Sequence, residues 1–397
     1  MMKKSIKDIS IMNKKVIVRC DFNVPMDENL NITDDIRIKS SIPTIEYLMD
    51  QGATIILLSH LGRPKGIPNK KYSLKPVAKR LGELLGKDVL FVDEDLIITE
   101  NTKKIVGEMK PGQIALLQNI RFRKEETDND PIFAEELASL GEIFVNDAFG
   151  TVHRAHASTT GITKYLPSVS GNLIKKEIDY MVTALDKPER PFTIILGGSK
   201  VGDKIGVIHN LIPKADNIII GGGMVYTFLK AKGYEVGKSL LEETKVDLAI
   251  EILKEAEKAD MELIFPVDIL VADEFNNDSP YQCVKFSEIP KDKMGLDIGP
   301  ESIKLFSDVI SKSKTVIWNG PMGVFEMSNF AKGTEGIAKA MAENENALTI
   351  IGGGDSAAAA EEFGYTSKIT HVSTGGGASL KLLEGKALPG IEALDDQ

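Results

Sequence analysis

Short runs rich in Val, Ile and Leu alternate along the whole chain with longer stretches whose apolar residues recur every three or four positions. That alternation predicts an α/β protein with mostly parallel sheet. In the first half the expected strands are Lys15–Cys20, Thr54–Ser59, Val89–Val92, Gln113–Leu117 and Glu142–Val145. In the second they are Thr193–Leu196, Asn217–Ile220, Glu262–Phe265, Thr315–Trp318, Leu348–Ile351 and Thr370–Ser373. Amphipathic helices are expected over Ser40–Gln51, Leu74–Leu85, Ile132–Ser139 and Thr244–Ala259. The stretch Leu173–Leu185 also has helical periodicity and runs into Asp186-Lys-Pro-Glu-Arg-Pro191, whose prolines stop a helix. It reads as a helix linking two α/β domains, although an ordinary helix inside one large domain would show the same pattern.

In open α/β sheets ligands gather beyond the carboxyl ends of the strands, so the strand exits carry the chemistry. The most telling exit is Ile351-Gly-Gly-Gly-Asp-Ser-Ala357, a buried strand, a glycine turn and a helix start. Asp355 and Ser356 are suited to N-capping, and the alanines behind them favour helix. Glycines let a phosphate approach the unpaired N–H groups of a helix start. A carboxylate there repels a bare phosphate, so Asp355 is better placed to hold a Mg²⁺ that the phosphates share. Two further triplets, Gly221–Gly223 and Gly375–Gly377, follow strands in the same half and suggest a phosphate-binding rim.

Other exits of the second half extend this picture. Gly197-Gly-Ser-Lys-Val-Gly-Asp-Lys204 brings Lys200 and Lys204 onto one face if a helix begins there. Asn319-Gly-Pro-Met-Gly-Val-Phe-Glu326 ends in a carboxylate suited to ribose hydroxyls, and Leu296-Asp-Ile-Gly-Pro300 reads as a further glycine loop. The implied ligand is a polyphosphate nucleotide with a metal. Gly233-Tyr-Glu-Val-Gly-Lys-Ser239 is not a P-loop, since it has one residue too few between its glycines and follows a helix-like run. Gly352-x-Gly354-x-x-Ala357 meets the loose dinucleotide fingerprint, yet the next strand ends in Val372-Ser-Thr374, without the acid that would hold a ribose.

The exits of the first half are of another kind. They read Asp21-Phe-Asn-Val-Pro25, His60-Leu-Gly-Arg-Pro64, Gln118-Asn-Ile-Arg-Phe122 and Asn146 through Ser158, the last containing His153, Arg154 and His156. Arg37 lies just before the first long helix. Arginine grips phosphate and carboxylate with two parallel hydrogen bonds. Arg37, Arg63, Arg121 and Arg154 with His60, His153 and His156, beside the polar Asp21 and Asn23, suggest a basin for a small hydroxylated anion such as a sugar acid phosphate.

Composition narrows the classes. The chain of 397 residues carries a net charge of −10, which disfavours a general nucleic-acid or anionic-membrane surface and leaves phosphate affinity to local clusters. Its two cysteines, Cys20 and Cys283, have no metal-ligand spacing, as expected of a reduced intracellular protein. The basic start is followed by no apolar h-region, and no run approaches the roughly 20 apolar residues of a membrane helix. A cytoplasmic location is expected.

Arg19-Cys-Asp-Phe-Asn-Val-Pro25, Ser59-His-Leu-Gly-Arg-Pro64, His153-Arg-Ala-His-Ala-Ser158, Trp318–Glu326, Gly352–Ser356 and His371–Ser379 resemble, in this order, the motifs of the phosphoglycerate kinase family. The resemblance covers essentially the whole chain. It implies a monomer of two doubly wound, Rossmann-like domains facing a central cleft and bending at a hinge. The expected division is a phosphoglycerate-binding domain (1–171), a helix and linker (172–188), a nucleotide-binding domain (189–380) and a segment (381–397) returning to the first domain. The implied reaction is reversible phosphoryl transfer between 1,3-bisphosphoglycerate and MgADP, giving 3-phosphoglycerate and MgATP, a step of glycolysis.

By motif position, Asp21, Phe22, Asn23, Arg37, His60, Leu61, Gly62, Arg63, Arg121 and Arg154 would bind the phosphoglycerate. Lys204, Gly295, Asn319, Glu326, Gly353, Gly354, Asp355 and Ser356 would bind the nucleotide, with Asp355 serving Mg²⁺. Arg37, Lys200, Gly354 and Gly376 would act on the phosphoryl group in flight. The chain departs from the family at Cys20 (usually Val), Ser199 (usually Ala) and Gln118 (usually Glu). A carboxylate acceptor is ionised at neutral pH, so in-line transfer in a closed, water-free cleft would need no general base. A dinucleotide-dependent dehydrogenase and a non-catalytic sugar-phosphate binder are the alternatives, and formation of ADP from 3-phosphoglycerate and MgATP separates the kinase from both.

Overall fold

The computed structural model describes residues 3–397, so that Met1 and Met2, at the head of the basic start, lie outside the described residues. Two compact units divide the chain: 1–179 with 387–397, and 180–386. The division falls within the predicted linking helix, and the second unit runs on to Lys386, six residues beyond the expected 380.

The first unit begins with β1 (Lys15–Arg19), α1 (Ile36–Asp50), β2 (Thr54–Leu58), α2 (Lys75–Leu85), β3 (Val89–Val92) and α3 (Glu100–Glu108). It continues with β4 (Ile114–Leu117), α4 (Lys124–Thr127), α5 (Pro131–Ala138), β5 (Ile143–Asn146), β6 (Ser168–Ser170) and the start of α6 (Asn172–Asp186). Its six strands are all parallel, in the order β3-β4-β2-β1-β5-β6. Both faces are covered. Val16 and Val18 of β1 pack into one apolar cluster and Ile17 into the opposite one, as do Ile55 and Leu57 against Ile56 and Leu58 of β2. That is why these strands read as unbroken apolar runs.

The second unit holds β7 (Phe192–Leu196), α7 (Ile205–Leu211), β8 (Asn217–Ile220), α8 (Val225–Ala231), α9 (Val246–Lys258) and β9 (Leu263–Ile264). There follow β10 (Asp268–Ala272), β11 (Tyr281–Lys285), β12 (Met294–Ile298), α10 (Pro300–Lys312), β13 (Thr315–Asn319) and α11 (Lys332–Glu343). Last come β14 (Leu348–Ile351), α12 (Gly354–Glu362), β15 (His371–Val372) and α13 (Gly376–Leu383), while α14 (Pro389–Glu392) belongs to the first unit. The main sheet is again parallel, β15-β14-β13-β7-β8-β9. Its direction of winding reverses between β7 and β13, which places the switch-point crevice at Gly197 and Asn319.

Several sequence expectations are corrected. Leu296-Asp-Ile-Gly-Pro300 is no loop: it is the end of β12 and the proline-led start of α10, within a small antiparallel sheet β11-β10-β12 that periodicity missed. Strand β6, three residues long with serine at two of them, was missed as well. Arg37 lies inside the first turn of α1, since that helix already starts at Ile36. Lys204 is the N-cap of α7, so Lys200 precedes that helix and the two lysines share no helical face. Gly233–Ser239 does follow a helix, α8, in keeping with its exclusion as a P-loop. Among the described residues no helix is long and apolar enough to cross a membrane.

Candidate functional site

Each unit carries a polar site at the carboxyl ends of its parallel strands. In the first unit a pocket of 360 Å³ is lined by Arg63, Lys65, Gly66, Arg121, Arg154 and His156, with Thr127. His153 is half-buried and does not line it. The loops around the pocket are tied to each other by buried amides. Asn119, fully buried after β4, donates to Leu61 O at 2.7 Å and Tyr72 O at 2.9 Å, and its Oδ1 accepts from the Arg121 N–H at 3.1 Å. Gln118 accepts from the Leu74 and Asn119 N–H groups and donates to Ser73 Oγ and Asp93 Oδ1. Its two donor bonds are ones that an ionised glutamate at this position would lack the hydrogens to make.

Gly62 has φ +61, and a Cβ there would lie 2.4 Å from the Tyr72 ring, so this position needs glycine on both counts. Its N–H donates to Asn23 Oδ1 at 2.8 Å and its carbonyl accepts from Arg121 at 2.9 Å. Asp21 accepts from Arg37 at 2.6 Å, and its other oxygen stands 3.9 Å from His60 Nδ1. Phe22 is fully buried in the core and its N–H donates to Ser59 Oγ, and Leu61 is buried alongside. Their contribution is to fix the loops.

The pocket is strongly cationic. Burial, then the neighbouring Arg19 and Arg154, pushes Arg121 down to about 10, which leaves it charged at neutral pH. Its Nε is buried without a protein partner among the described residues. Burial and Arg63 lower Arg154 in the same direction. Several arginines held this close without enough carboxylates to neutralise them form a site that an oxyanion would stabilise.

In the second unit a groove of 720 Å³ is lined by Gly197–Lys200, Asp203, Lys204, Asn319, Gly353–Ser356, Gly376 and Lys381, among others. The turn after β14 departs from the expected capping. Gly353, with φ +117, is the N-cap of α12, while Asp355 and Ser356 sit inside its first turn. Ser356 is buried and accepts from the Gly320 N–H at 2.6 Å, locking this turn to the exit of β13. Asp355 is left exposed in the groove. A Cβ on Gly376 would lie 3.3 Å from the Gly354 nitrogen, so the starts of α12 and α13 abut and present their unpaired N–H groups side by side.

Lys204 reaches the same turn, donating to Asn319 Oδ1, while Asn319 Nδ2 donates to Gly352 O. Burial pushes Lys204 down to about 8, against the opposing pull of Asp203, Asp355 and Glu384. Lys200 is exposed on the groove wall. The exits of β7 and β13 interlock: the Gly197 N–H donates to Asn319 O and that of Gly198 to Pro321 O, each at 3.0 Å. A Cβ on Gly197 would lie 2.1 Å from Pro321 O, which explains glycine there.

A second pocket of 490 Å³ shares Gly198, Ser199, Pro321 and Asp355 with the groove, so the two are continuous. Gly222, Gly223, Tyr226, Leu240, Leu296 and Val324 give it apolar walls, with Gly295 and Glu326 also on its lining. Gly222 and Gly223 of the first triplet therefore line this pocket, whereas Gly353, Gly354, Gly376 and Gly377 of the other two line the groove. Tyr226, Leu240 and Phe275, which also lines this pocket, had no sequence signal, because single apolar residues in helices and loops look like core. Gly295 is held beneath Tyr226, whose hydroxyl would lie 1.8 Å from a Cβ at that position.

Among the described residues no group of three or more His, Cys, Asp or Glu is arranged to hold a metal ion. A single exposed carboxylate, Asp355, beside helix-start amides suits a Mg²⁺ that arrives with phosphate oxygens and waters as its other ligands. A dinucleotide grip is not formed: beyond β15, Ser373 is buried and pairs with Ser379 Oγ at 2.6 Å, and no acid stands at that strand end.

A profile of the phosphoglycerate kinase family matches residues 6–386. A curated phosphoglycerate kinase of Clostridium botulinum (strain Hall) is 57% identical over 396 residues, covering 100% of this chain and 99% of that one. The phosphoglycerate kinase of the Alaska E43 strain is 57% identical over 395 residues, covering 99% of each. Among solved structures, phosphoglycerate kinase from Coxiella burnetii superposes with a TM-score of 0.90 at 39% identity, and that from Pyrococcus horikoshii OT3 with 0.85 at 32%, each covering 98% of both chains.

Proposed function

The chain belongs to the phosphoglycerate kinase family and is a phosphotransferase, and from that premise we propose how its two sites divide the reaction. The pocket of the first unit binds the phosphoglycerate, and the groove and apolar pocket of the second bind the nucleotide, phosphates in the groove and base against Tyr226, Leu240 and Leu296. The observation that carries this reading is the pair of abutting helix starts at Gly354 and Gly376, with Lys204 and Lys200 on the same groove. Together they form an anion site too large and too cationic for a single cap. The arginine pocket of the first unit is the matching site for a smaller anion.

The chemistry is in-line transfer without a general base. The acceptor carboxylate is ionised at neutral pH, so no proton has to leave it. The residues therefore serve to align the reactants and to neutralise charge on the moving phosphoryl group. Arg37 of the first unit and Lys200 of the second serve the same step, which requires the units to close on the reactants and exclude water. Mg²⁺, when bound at Asp355, neutralises nucleotide phosphate charge. Gly353 to Ser356, Asn319 and Lys204 position the phosphates, and Glu326 and Gly295 position the nucleoside. The protein acts as a monomer in the cytoplasm.

The test is a coupled assay of ADP formation from 3-phosphoglycerate and MgATP. Turnover with both substrates, and none when either is omitted, is expected. Binding of 3-phosphoglycerate without turnover would leave a non-catalytic binding protein, and a nicotinamide-dependent reaction would replace the reading altogether.

A further inference from the structure

Arg19, the last residue of β1, lies fully buried beneath the arginine pocket. Its Nε donates to Ser158 Oγ at 2.8 Å, one terminal nitrogen donates to Cys20 O, and the other stands 3.2 Å from His60 Nδ1. Ser158 passes the contact on, donating to Glu126 Oε1 at 2.7 Å from its hydroxyl and to Oε2 at 3.0 Å from its N–H. Glu126 is itself fully buried, and it offsets the charge of Arg19 through this bridge. The cation is thus held in place by the sheet and needs no ligand to stabilise it.

A guanidinium has N–H donors and no acceptor, so its contact with an imidazole nitrogen decides where that ring carries its proton. Nδ1 of His60 must present its lone pair to Arg19, and the neutral ring then bears hydrogen on Nε2. His60 is 3% exposed, and with Nδ1 accepting, Nε2 is the one ring position left to donate. We propose that Arg19 is a positioning residue that locks His60 as the neutral Nε2–H tautomer, making the ring a fixed hydrogen-bond donor to the bound anion and not a titrating cation. The inference rests on the reading of the first unit as the phosphoglycerate site.

The surroundings of the ring support it. Arg19 faces it from β1, Asp21 from the loop beyond that strand, Arg37 from α1, Arg121 from the turn after β4 and Arg154 from the loop after β5. Asp21 is the only one of these five that favours imidazolium, and it is already engaged by Arg37 at 2.6 Å. A proton on Nδ1 would break the Arg19 contact and add a positive charge among four arginines. Burial, then those arginines, holds His60 well below the ordinary histidine range. Affinity for the anion should therefore not depend on this ring between about pH 5.5 and 8, the range in which an ordinary histidine switches.

The experiment is nitrogen-15 NMR of the full-length protein labelled at histidine. With five histidines the signals are few, and His60→Gln assigns the one in question. The expected spectrum has a protonated Nε2 and an unprotonated Nδ1 for His60, unchanged from about pH 5.5 to 8, with the Nε2 signal moving on addition of 3-phosphoglycerate. In Arg19→Met, which removes the donor facing Nδ1, both neutral tautomers of His60 should be populated and the KM for 3-phosphoglycerate should rise, with Arg19→Lys, which loses the fork but keeps a charged donor, falling between Met and wild type. An Nδ1–H tautomer in the wild type, or titration within that range, overturns the proposal even if Arg19→Met fails to fold. The expected tautomer with an Nε2 signal indifferent to 3-phosphoglycerate would instead overturn the assignment of the substrate site, and with it the role of Arg19 in binding.

Discussion

Replacing Asn119 with alanine should damage stability and substrate affinity together. The side chain is fully buried, donates at 2.7 and 2.9 Å to the Leu61 and Tyr72 carbonyls, and accepts from the Arg121 N–H at 3.1 Å. Truncation leaves two carbonyls and one N–H unmet, and each unmet buried group costs about 1–3 kcal/mol. The vacated space admits one water, which can bond to some of these groups, so a net loss of about 2–4 kcal/mol is expected. For a unit of this size that is a fall in Tm of roughly 5–15 °C, measurable by calorimetry. The His60–Arg63 loop and Arg121 should shift together, so the KM for 3-phosphoglycerate should rise more than that for MgATP. Asn119→Asp keeps the acceptor, loses both donors and sets a negative charge against two carbonyls, so it should be worse than alanine. An alanine variant within about 0.5 kcal/mol of wild type, or an aspartate variant as stable as wild type, would refute this account of what fixes the loops.

Other consequences are as direct. Arg37→Ala and Lys200→Ala should each lower kcat by at least ~10²-fold, the scale of losing one transition-state donor, and either variant within a few-fold of wild type would remove that residue from the step. Arg63→Ala should raise the KM for 3-phosphoglycerate more than that for MgATP, and the opposite ranking would mean that the sites are assigned to the wrong units. Gly353→Ala imposes a side chain where φ is +117 and the nearest atom, Asn319 Nδ2, is 3.1 Å away. It should weaken nucleotide binding by titration calorimetry and spare binding of 3-phosphoglycerate. Lys204 is pushed down to about 8 from its ordinary 10.5, so phosphate loses a charged partner as pH rises through 8. The KM for MgATP should climb above that pH, by at most tenfold per unit, and Lys204→Arg should flatten the climb. The sign for folding is opposite. Between about pH 8 and 10.5 the unfolded chain holds a proton that the folded one has released, so the second unit should gain stability as pH rises there.

How much the sequence determined depends on the range of the interaction concerned. The strands were legible because a parallel strand covered on both faces is apolar at most positions: Asn217–Ile220 and Leu348–Ile351 lie where the runs place them, and so does the edge strand Val89–Val92, whose apolar run persists although Leu90 is exposed. Strand β6 and the sheet β11-β10-β12 were not, since an edge strand such as Tyr281–Lys285, largely exposed, has no apolar run to show. Helix starts were misjudged where capping by side chains was assumed and backbone was used. Asp355 looked like an N-cap, but Gly353 can turn the chain at positive φ, and that frees the carboxylate for the groove.

The sequence by itself also marked the chemistry of the two sites, arginines at the strand exits of one half and glycines with lysines at those of the other. Short-range rules suffice for that, because a residue type and its place after a strand are both local. Only the tertiary structure decided which of these residues meet. It brought Arg63, Arg121, Arg154 and His156 around one pocket and left His153 off it. It set the starts of α12 and α13 against each other. It also showed Arg19 to be a buried support for His60, where its place in a strand would make it look like a misplaced charge. Such pairings join residues from 22 to 93 positions apart, and they are fixed by how whole strands order themselves in a sheet, which no short window of sequence contains.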